Sequence, residues 1–258
     1  MGSGIKASKD AFLLTAKYCM AIQIGSGISI GGGIFIGSAP SGPDLVYNLN
    51  AANYSALPVD GSVVSGSGGY TVTVANPDST MSWNASNGGV FNMTTVSGSV
   101  NDYIFGGPNY VTGQSYTVFM VYQLNPIVDG RLLNTQDESS KDWLMGSYSG
   151  YMNVFYPNGV VNLTSDPEDI AWHFIWGTFD YATTTAELYI ATSTEPTGVY
   201  KTETSGSFGG FNQLRLFSRA GGFEPQTGNI GLMQVYDGVI SLAKIQALYN
   251  QFKTRFGY

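Results

Sequence analysis

From Asp44 to the C-terminus the chain alternates short apolar runs with clusters of turn-forming residues. Within the runs the side chains follow the two-residue period of a strand. The pattern predicts strands at Leu45–Asn50, Tyr70–Val74, Thr80–Trp83, Val90–Met93, Tyr103–Phe105, Ser115–Leu124, Arg131–Leu133, Trp143–Ser147, Tyr151–Phe155, His173–Phe179, Ala186–Thr192, Leu214–Ser218 and Asn229–Tyr236. Ser115–Leu124 is the strongest of them. Tyr116, Val118, Met120 and Tyr122 take one face and Thr117, Phe119, Val121 and Gln123 the other, so both faces are apolar and the strand belongs in the middle of a sheet. Asp60-Gly61, Asp129-Gly130, Pro157-Asn158-Gly159 and Asp237-Gly238 mark turns. About thirteen short strands over this length mean two packed sheets rather than a small barrel. The period then changes. Leu242, Ile245, Leu248, Tyr249, Phe252 and Phe256 recur every three or four residues and predict an amphipathic helix over 241–256. Ser241 suits its N-cap, Lys253 and Arg255 its C-terminal dipole, and Gly257 its stop.

Ahead of this domain the pattern is a repeat. IQIGSG, ISIGGG and IFIGSA follow one another as three hexads over 22–39, each placing two isoleucines in strand alternation before a glycine. Ile22, Ile24, Ile28, Ile30, Ile34 and Ile36 are the result. Leaving each in water costs about 1.5–3 kcal/mol, and three hexads are too few to build a core of their own. The arm must therefore cover its isoleucines with a partner surface: its own globular domain, a second copy or another protein. The regular period favours an assembly arm over a linker that is merely rich in Ile and Gly. Asp10 to Met20 has the pattern of a short helix, and Ala39-Pro-Ser-Gly-Pro43 reads as a boundary. The expected domains are thus an arm, 1–43, and a sandwich, 44–258.

Composition narrows the function. Among 258 residues there is one His, His173, and one Cys, Cys19, which excludes a cysteine-rich zinc site, a disulfide framework and any site built from several histidines. The net charge of −7 opposes nonspecific nucleic-acid binding. No Lys or Arg occurs between Tyr18 and Gly130, where five acids stand. The surface there is solvated by hydroxyls and amides. The apolar runs near the N-terminus are short and interrupted by Lys17, so neither a membrane span nor a signal peptide is expected, and export would be by lysis or assembly.

Several segments resemble the concanavalin A-like lectin/glucanase superfamily in its laminin-G-like branch, in the form found in tailed-phage virion proteins. LVYNLNAANYSALP at 45–58 resembles the opening strand of such modules. GGVFNMTTVSGSVNDYIFG at 88–106 resembles the strand pair ending in an Asp-Tyr-hydrophobe element. WHFIWGTFD at 172–180 is similar to their tryptophan–histidine strand. GNIGLMQVYDGVISLAKIQALYNQFKTRFG at 228–257 resembles the closing strand and helix. The resemblance spans roughly 44–258 and implies an all-β, two-sheet antiparallel jelly-roll sandwich.

The candidate chemistry is sparse. Glucanases of that superfamily place paired carboxylates on one strand face, because retaining hydrolysis needs both. Glu187, Glu195 and Glu203 are eight apart and form no such motif, so the chain is expected not to be an enzyme. Asp166, Glu168 and Asp169 form the densest acidic cluster and offer oxygen ligands for calcium, the one cofactor the sequence suggests; an ordinary acidic turn is the alternative. A lone strand histidine such as His173 is more often packed than catalytic. Tyr148, Tyr151 and Tyr156, with Trp143 and Trp172, offer rings for stacking on sugars, and Asn153, Asn158 and Asp166 offer hydrogen bonds. Core packing is the competing role for each ring.

These features lead to a non-enzymatic phage virion protein: a tail fibre, appendage or capsid decoration. The arm anchors it to other virion proteins or to itself, with a homo-oligomer, a trimer above all, expected. The lectin-like domain is left exposed for shell stabilisation or contact with a host surface glycan. A bacterial extracellular carbohydrate-binding module is the alternative and a glycan hydrolase the second.

Overall fold

The computed structural model describes residues 28–30, 34–36, 42–59, 61–63, 69–75, 81–94, 103–110, 113–124, 130–135, 143–148, 151–157, 161–162, 170–191, 200–204, 210–218, 224 and 226–258. The chain divides into two units, Met1–Ser41 and Gly42–Tyr258. In the first, β1 (Ile28–Ile30) and β2 (Ile34–Ile36) pair antiparallel, with Ile28 opposite Ile36 and Ile30 opposite Ile34. The second and third hexads therefore form one two-stranded ladder. Ile22 and Ile24 lie outside the described residues.

The second unit is a sandwich of two eight-stranded antiparallel sheets. Its strands are β3 (Leu45–Asn50), β4 (Ser62–Val63), β5 (Thr71–Ala75), β6 (Met81–Asn84), β7 (Val90–Met93), β8 (Tyr103–Tyr110), β9 (Tyr116–Leu124), β10 (Leu133–Thr135), β11 (Trp143–Tyr148), β12 (Tyr151–Pro157), β13 (Val161–Asn162), β14 (His173–Asp180), β15 (Thr185–Ala191), β16 (Tyr200–Thr204), β17 (Phe211–Leu216) and β18 (Gly228–Tyr236). One sheet runs β13-β12-β11-β10-β17-β8-β5-β4. The other runs β16-β15-β14-β9-β18-β7-β6, and β3 shares the β18 edge with β7. Two packed antiparallel sheets are what the strand pattern predicts, and they fit the jelly-roll sandwich that the resemblance implies.

The two apolar faces of β9 explain the layering. Tyr116, Val118, Met120, Tyr122 and Leu124 enter the core between the sheets, together with Trp143, Met145, Phe155, Phe211, Leu214 and Leu216. Phe119 and Val121 point to the opposite face, where Phe174, Trp176 and Leu232 join them under Ile245, Leu248, Tyr249 and Phe256. The Phe119 and Trp176 rings stack at 4.7 Å. The sandwich thus has a second, smaller core, and the C-terminal segment closes it.

That segment differs from the expected single helix over 241–256. Helix α1 spans Leu242–Phe252, with the Ser241 hydroxyl accepting from the Lys244 amide at 3.3 Å, and a 3-10 turn, Lys253–Phe256, follows. Gly257 ends the turn at φ 85°, in the left-handed region that favours glycine. The tightened turn swings Arg255 inward rather than along the dipole. Its guanidinium donates to the carbonyls of Asn87 (2.6 Å), Gly89 (2.6 Å) and Gly231 (3.2 Å), and to Asn50 Oδ1 (2.7 Å). Other boundaries also move. β8 runs on past Gly106, where its pairing with β5 ends, to Tyr110 because β17 continues to pair with it through Asn109 and Tyr110, and β10 starts at Leu133 rather than Arg131. Among the described residues no helix is long and apolar enough to cross a membrane.

Candidate functional site

At one end of the sandwich, four chain segments stop together and leave a cleft of about 320 Å³. Its walls are Tyr70, just ahead of β5; Pro108, Asn109 and Tyr110, closing β8; Gln114 and Ser115, opening β9; and Asp237, just beyond β18. Antiparallel pairing places these ends side by side, because β8 runs back against β5 and β9 against β18. The Tyr110 ring is rooted in the core, 5.6 Å from Tyr116 and 5.2 Å from Phe211. Tyr70 leans edge-on against Tyr47 at 6.1 Å. The aromatic walls are therefore held by packing before any ligand arrives.

The polar groups divide into those used by the fold and those left over. Asp237 Oδ1 accepts from the Asp44 amide at 2.5 Å, and the Asp237 amide donates back to the Asp44 carbonyl at 3.1 Å. Asn109 Oδ1 accepts from the Gln213 amide at 3.0 Å. Ser115 Oγ donates to Asp180 Oδ1 at 3.1 Å and accepts from the Tyr181 amide at 3.0 Å, which fixes the turn between β14 and β15. Among the described residues nothing hydrogen-bonds Asp237 Oδ2, the Gln114 amide group or the Tyr110 and Tyr70 hydroxyls. Burial, the Asp237 carboxylate and Tyr70 hold the Tyr110 phenol above its ordinary range, so it stays protonated and able to donate.

The turn that Ser115 anchors carries an exposed ring. Tyr181 is 48 % exposed, and a β-carbon on Gly113, next to Gln114, would stand 4.0 Å from its Cζ. Asp180 braces the turn, accepting from the Ala182 amide and the Thr183 hydroxyl at 3.0 Å each. A flat apolar surface beside unspent donors and acceptors is what recognition of a sugar requires: stacking on the C–H face and hydrogen bonds to the hydroxyls.

The residues singled out from the sequence that the structure describes do not line this cleft. Tyr148 and Tyr151 are cross-strand partners at the β11–β12 turn, and the Arg131 guanidinium lies over the Tyr148 ring at 4.9 Å. Tyr156, half-buried, pairs with Leu144 further along β12. It is roughly 17 Å from Tyr151 at about 3.3 Å per residue. The structure does not gather the three tyrosines into one site. Asn158 and the acidic cluster Asp166, Glu168 and Asp169 lie outside the described residues; among those described, no group of three His, Cys, Asp or Glu could hold a metal ion. Trp143 is core, its indole donating to Tyr116 Oη at 2.7 Å, and Trp172 packs on Phe256 at 4.5 Å. Asn153 is buried and accepts from the Tyr122 hydroxyl at 3.1 Å, while His173 stacks on Tyr122 at 5.2 Å. Of the cleft residues, the sequence pattern marks Tyr70 and Ser115 as strand starts and Asp237 as part of a turn, and none of them as a binding residue. The aromatic Tyr181 directly after the last residue of β14 was the signal that could have led further.

No protein-family model matches the chain, and no curated protein matches it. Solved structures do. Domain 4 of AbnA, a GH43 extracellular arabinanase from Geobacillus stearothermophilus, solved in complex with arabinotriose, is 15% identical and covers 80% of this chain and 98% of its own, with a TM-score of 0.55. The binding domain of Paraclostridial Mosquitocidal Protein 1 is 11% identical, covers 81% of this chain and 52% of its own, and has a TM-score of 0.59. A structure of botulinum neurotoxin type C, whose cell entry depends on interaction with two ganglioside molecules, is 14% identical, covers 74% and 48%, and has a TM-score of 0.55. This chain spans about half the length of the two toxin structures. At these identities the likeness establishes the fold alone, a two-sheet antiparallel β-sandwich.

Proposed function

We propose that the chain is a carbohydrate-binding module whose ligand sits in the end cleft. The observation that carries this is the cleft's unspent chemistry. Asp237 Oδ2, the Gln114 side-chain amide and the hydroxyls of Tyr110 and Tyr70 converge there without hydrogen-bond partners among the described residues, beside the exposed ring of Tyr181. The fold likeness to a domain solved with arabinotriose supports it. The module works without catalysis on this reading. Glu224 is held by Arg131 at 2.6 Å, Glu187 accepts from the Tyr189 hydroxyl at 2.7 Å, and Asp180 is occupied by its turn. The test is retention on a glycan array by the whole chain and by Tyr110→Phe and Gln114→Ala. Both variants are expected to keep the fold and weaken binding; glycan binding by neither variant nor wild type ends the proposal.

For the finer role we propose a phage virion appendage or capsid decoration, with residues 1–43 as the assembly arm and the sandwich exposed to host glycans. The pairing of isoleucine with isoleucine across β1 and β2 supports an arm made of strands. A homo-oligomer, a trimer in the favoured form, would bury those residues. A bacterial extracellular module is the competing role. Sedimentation of the full chain separates them: an oligomer dissolved by deleting 1–43 fits the appendage, and a monomer in both forms removes it.

A further inference from the structure

We infer that the cleft selects the uncharged end of a glycan, a single neutral sugar ring, and turns away termini capped with sialic or uronic acid. This deepens the carbohydrate reading above and rests on it. Asp237 is the only charged residue among the seven that line the cleft. The other six, from Tyr70 to Ser115, come from the stretch between Tyr18 and Gly130 that contains no Lys or Arg. The wall therefore offers a carboxylate and no cation to answer a second carboxylate. A capped sugar would bring a second carboxylate within a few ångströms of the exposed Asp237 carboxylate, a separation shorter than the roughly 8 Å reach of salt screening at physiological ionic strength. A neutral sugar meets the opposite situation, since its hydroxyls can donate to a carboxylate.

The geometry says how such a ring would be held. Asp237 Oδ1 is fixed by the Asp44 amide at 2.5 Å, which leaves Oδ2 aimed by the same carboxylate plane and free to accept from a hydroxyl. The Tyr110 hydroxyl and the amide groups of Gln114 and Asn109 can donate to neighbouring ring oxygens. Tyr181, its turn braced by Ser115 and Asp180, presents its ring at the Gly113 side for the sugar's C–H face. At about 320 Å³ the cleft lies at the small end of ligand pockets and suits one terminal ring rather than a chain threaded through.

The test is an array of neutral oligosaccharides beside the same oligosaccharides capped with sialic or glucuronic acid, probed with the whole chain, then calorimetry on the best-retained neutral glycan. Capping is expected to weaken binding at least tenfold. Asp237→Asn keeps an oxygen for the Asp44 amide while removing the charge. It is expected to weaken the neutral glycan about tenfold and to narrow the gap between neutral and capped forms. Tyr181→Ala, at an exposed position, should lose a similar factor with the thermal midpoint unchanged. Capped glycans that bind as well as neutral ones, or neutral binding indifferent to Asp237→Asn, overturn this inference and leave the carbohydrate reading standing. Retention of no glycan of either kind overturns both.

Discussion

The Arg255 guanidinium reaches three carbonyls and one side-chain amide oxygen from three separate parts of the sheet and its turns. Losing it would take that donor from the Asn87, Gly89 and Gly231 carbonyls beneath the C-terminal turn, while Asn50 Oδ1 would keep the Ala52 amide at 3.1 Å. Arg255→Ala is expected to lower stability by about 2–4 kcal/mol in urea denaturation, and Arg255→Lys to recover little, because an ammonium lacks the planar fork. The buried tyrosines set a second residue-level expectation. Burial raises the Tyr236 phenol to about 12 and drives Tyr47, Tyr110 and Tyr116 up further. A group whose folded pKa lies above its unfolded value, about 10 for tyrosine, stabilises the fold fully below that value and ceases to as pH rises through the folded one. Stability should stay level from neutrality to about pH 10 and fall as pH approaches 12 and beyond. Tyrosinate absorbance from the core should appear together with unfolding. Core tyrosinate forming near pH 10 with the near-ultraviolet circular dichroism intact would contradict it.

At the scale of elements, what was legible depended on whether a strand carries its own pattern. β9 was readable because apolar residues occupy both of its faces, and α1 because its period and the Ser241 cap agree. β4 and β13 are two residues long, and β16 (YKTET) is mostly polar; they are strands because a neighbour pairs with them, which no local pattern records. β18 shows how an element is shaped from outside. Its register against β9 shifts between Ile230 and Leu232, and a β-carbon on the intervening Gly231 would stand 2.4 Å from the Phe256 ring. Gly231→Ala should therefore lift the C-terminal turn off the sheet and cost about 1–3 kcal/mol, with faster amide exchange in α1 than in β9. Equal exchange in both would contradict that.

At the scale of the molecule, the candidate site was not legible at all. Tyr70, Asn109, Tyr110, Gln114, Tyr181 and Asp237 are scattered along the chain and form no motif. Strand order alone brings five of them to one cleft and sets Tyr181 beside it. Of the rings singled out from the sequence, Trp143 is large and apolar and packs in the interior, Trp172 is half-buried against Phe256, and Tyr148 stays exposed under the Arg131 guanidinium. The second and third isoleucine hexads, by contrast, are legible as strands from their period and form the ladder of β1 and β2, while the first lies outside the described residues. The account of function stands on where a sugar lies. A crystal structure of the whole chain with a neutral oligosaccharide retained on the array measures that directly. The expected result is one terminal ring against Tyr181 with a hydroxyl within hydrogen-bonding distance of Asp237 Oδ2. A sugar seated instead beside Tyr148 and Tyr151, with the end cleft holding none, would contradict it.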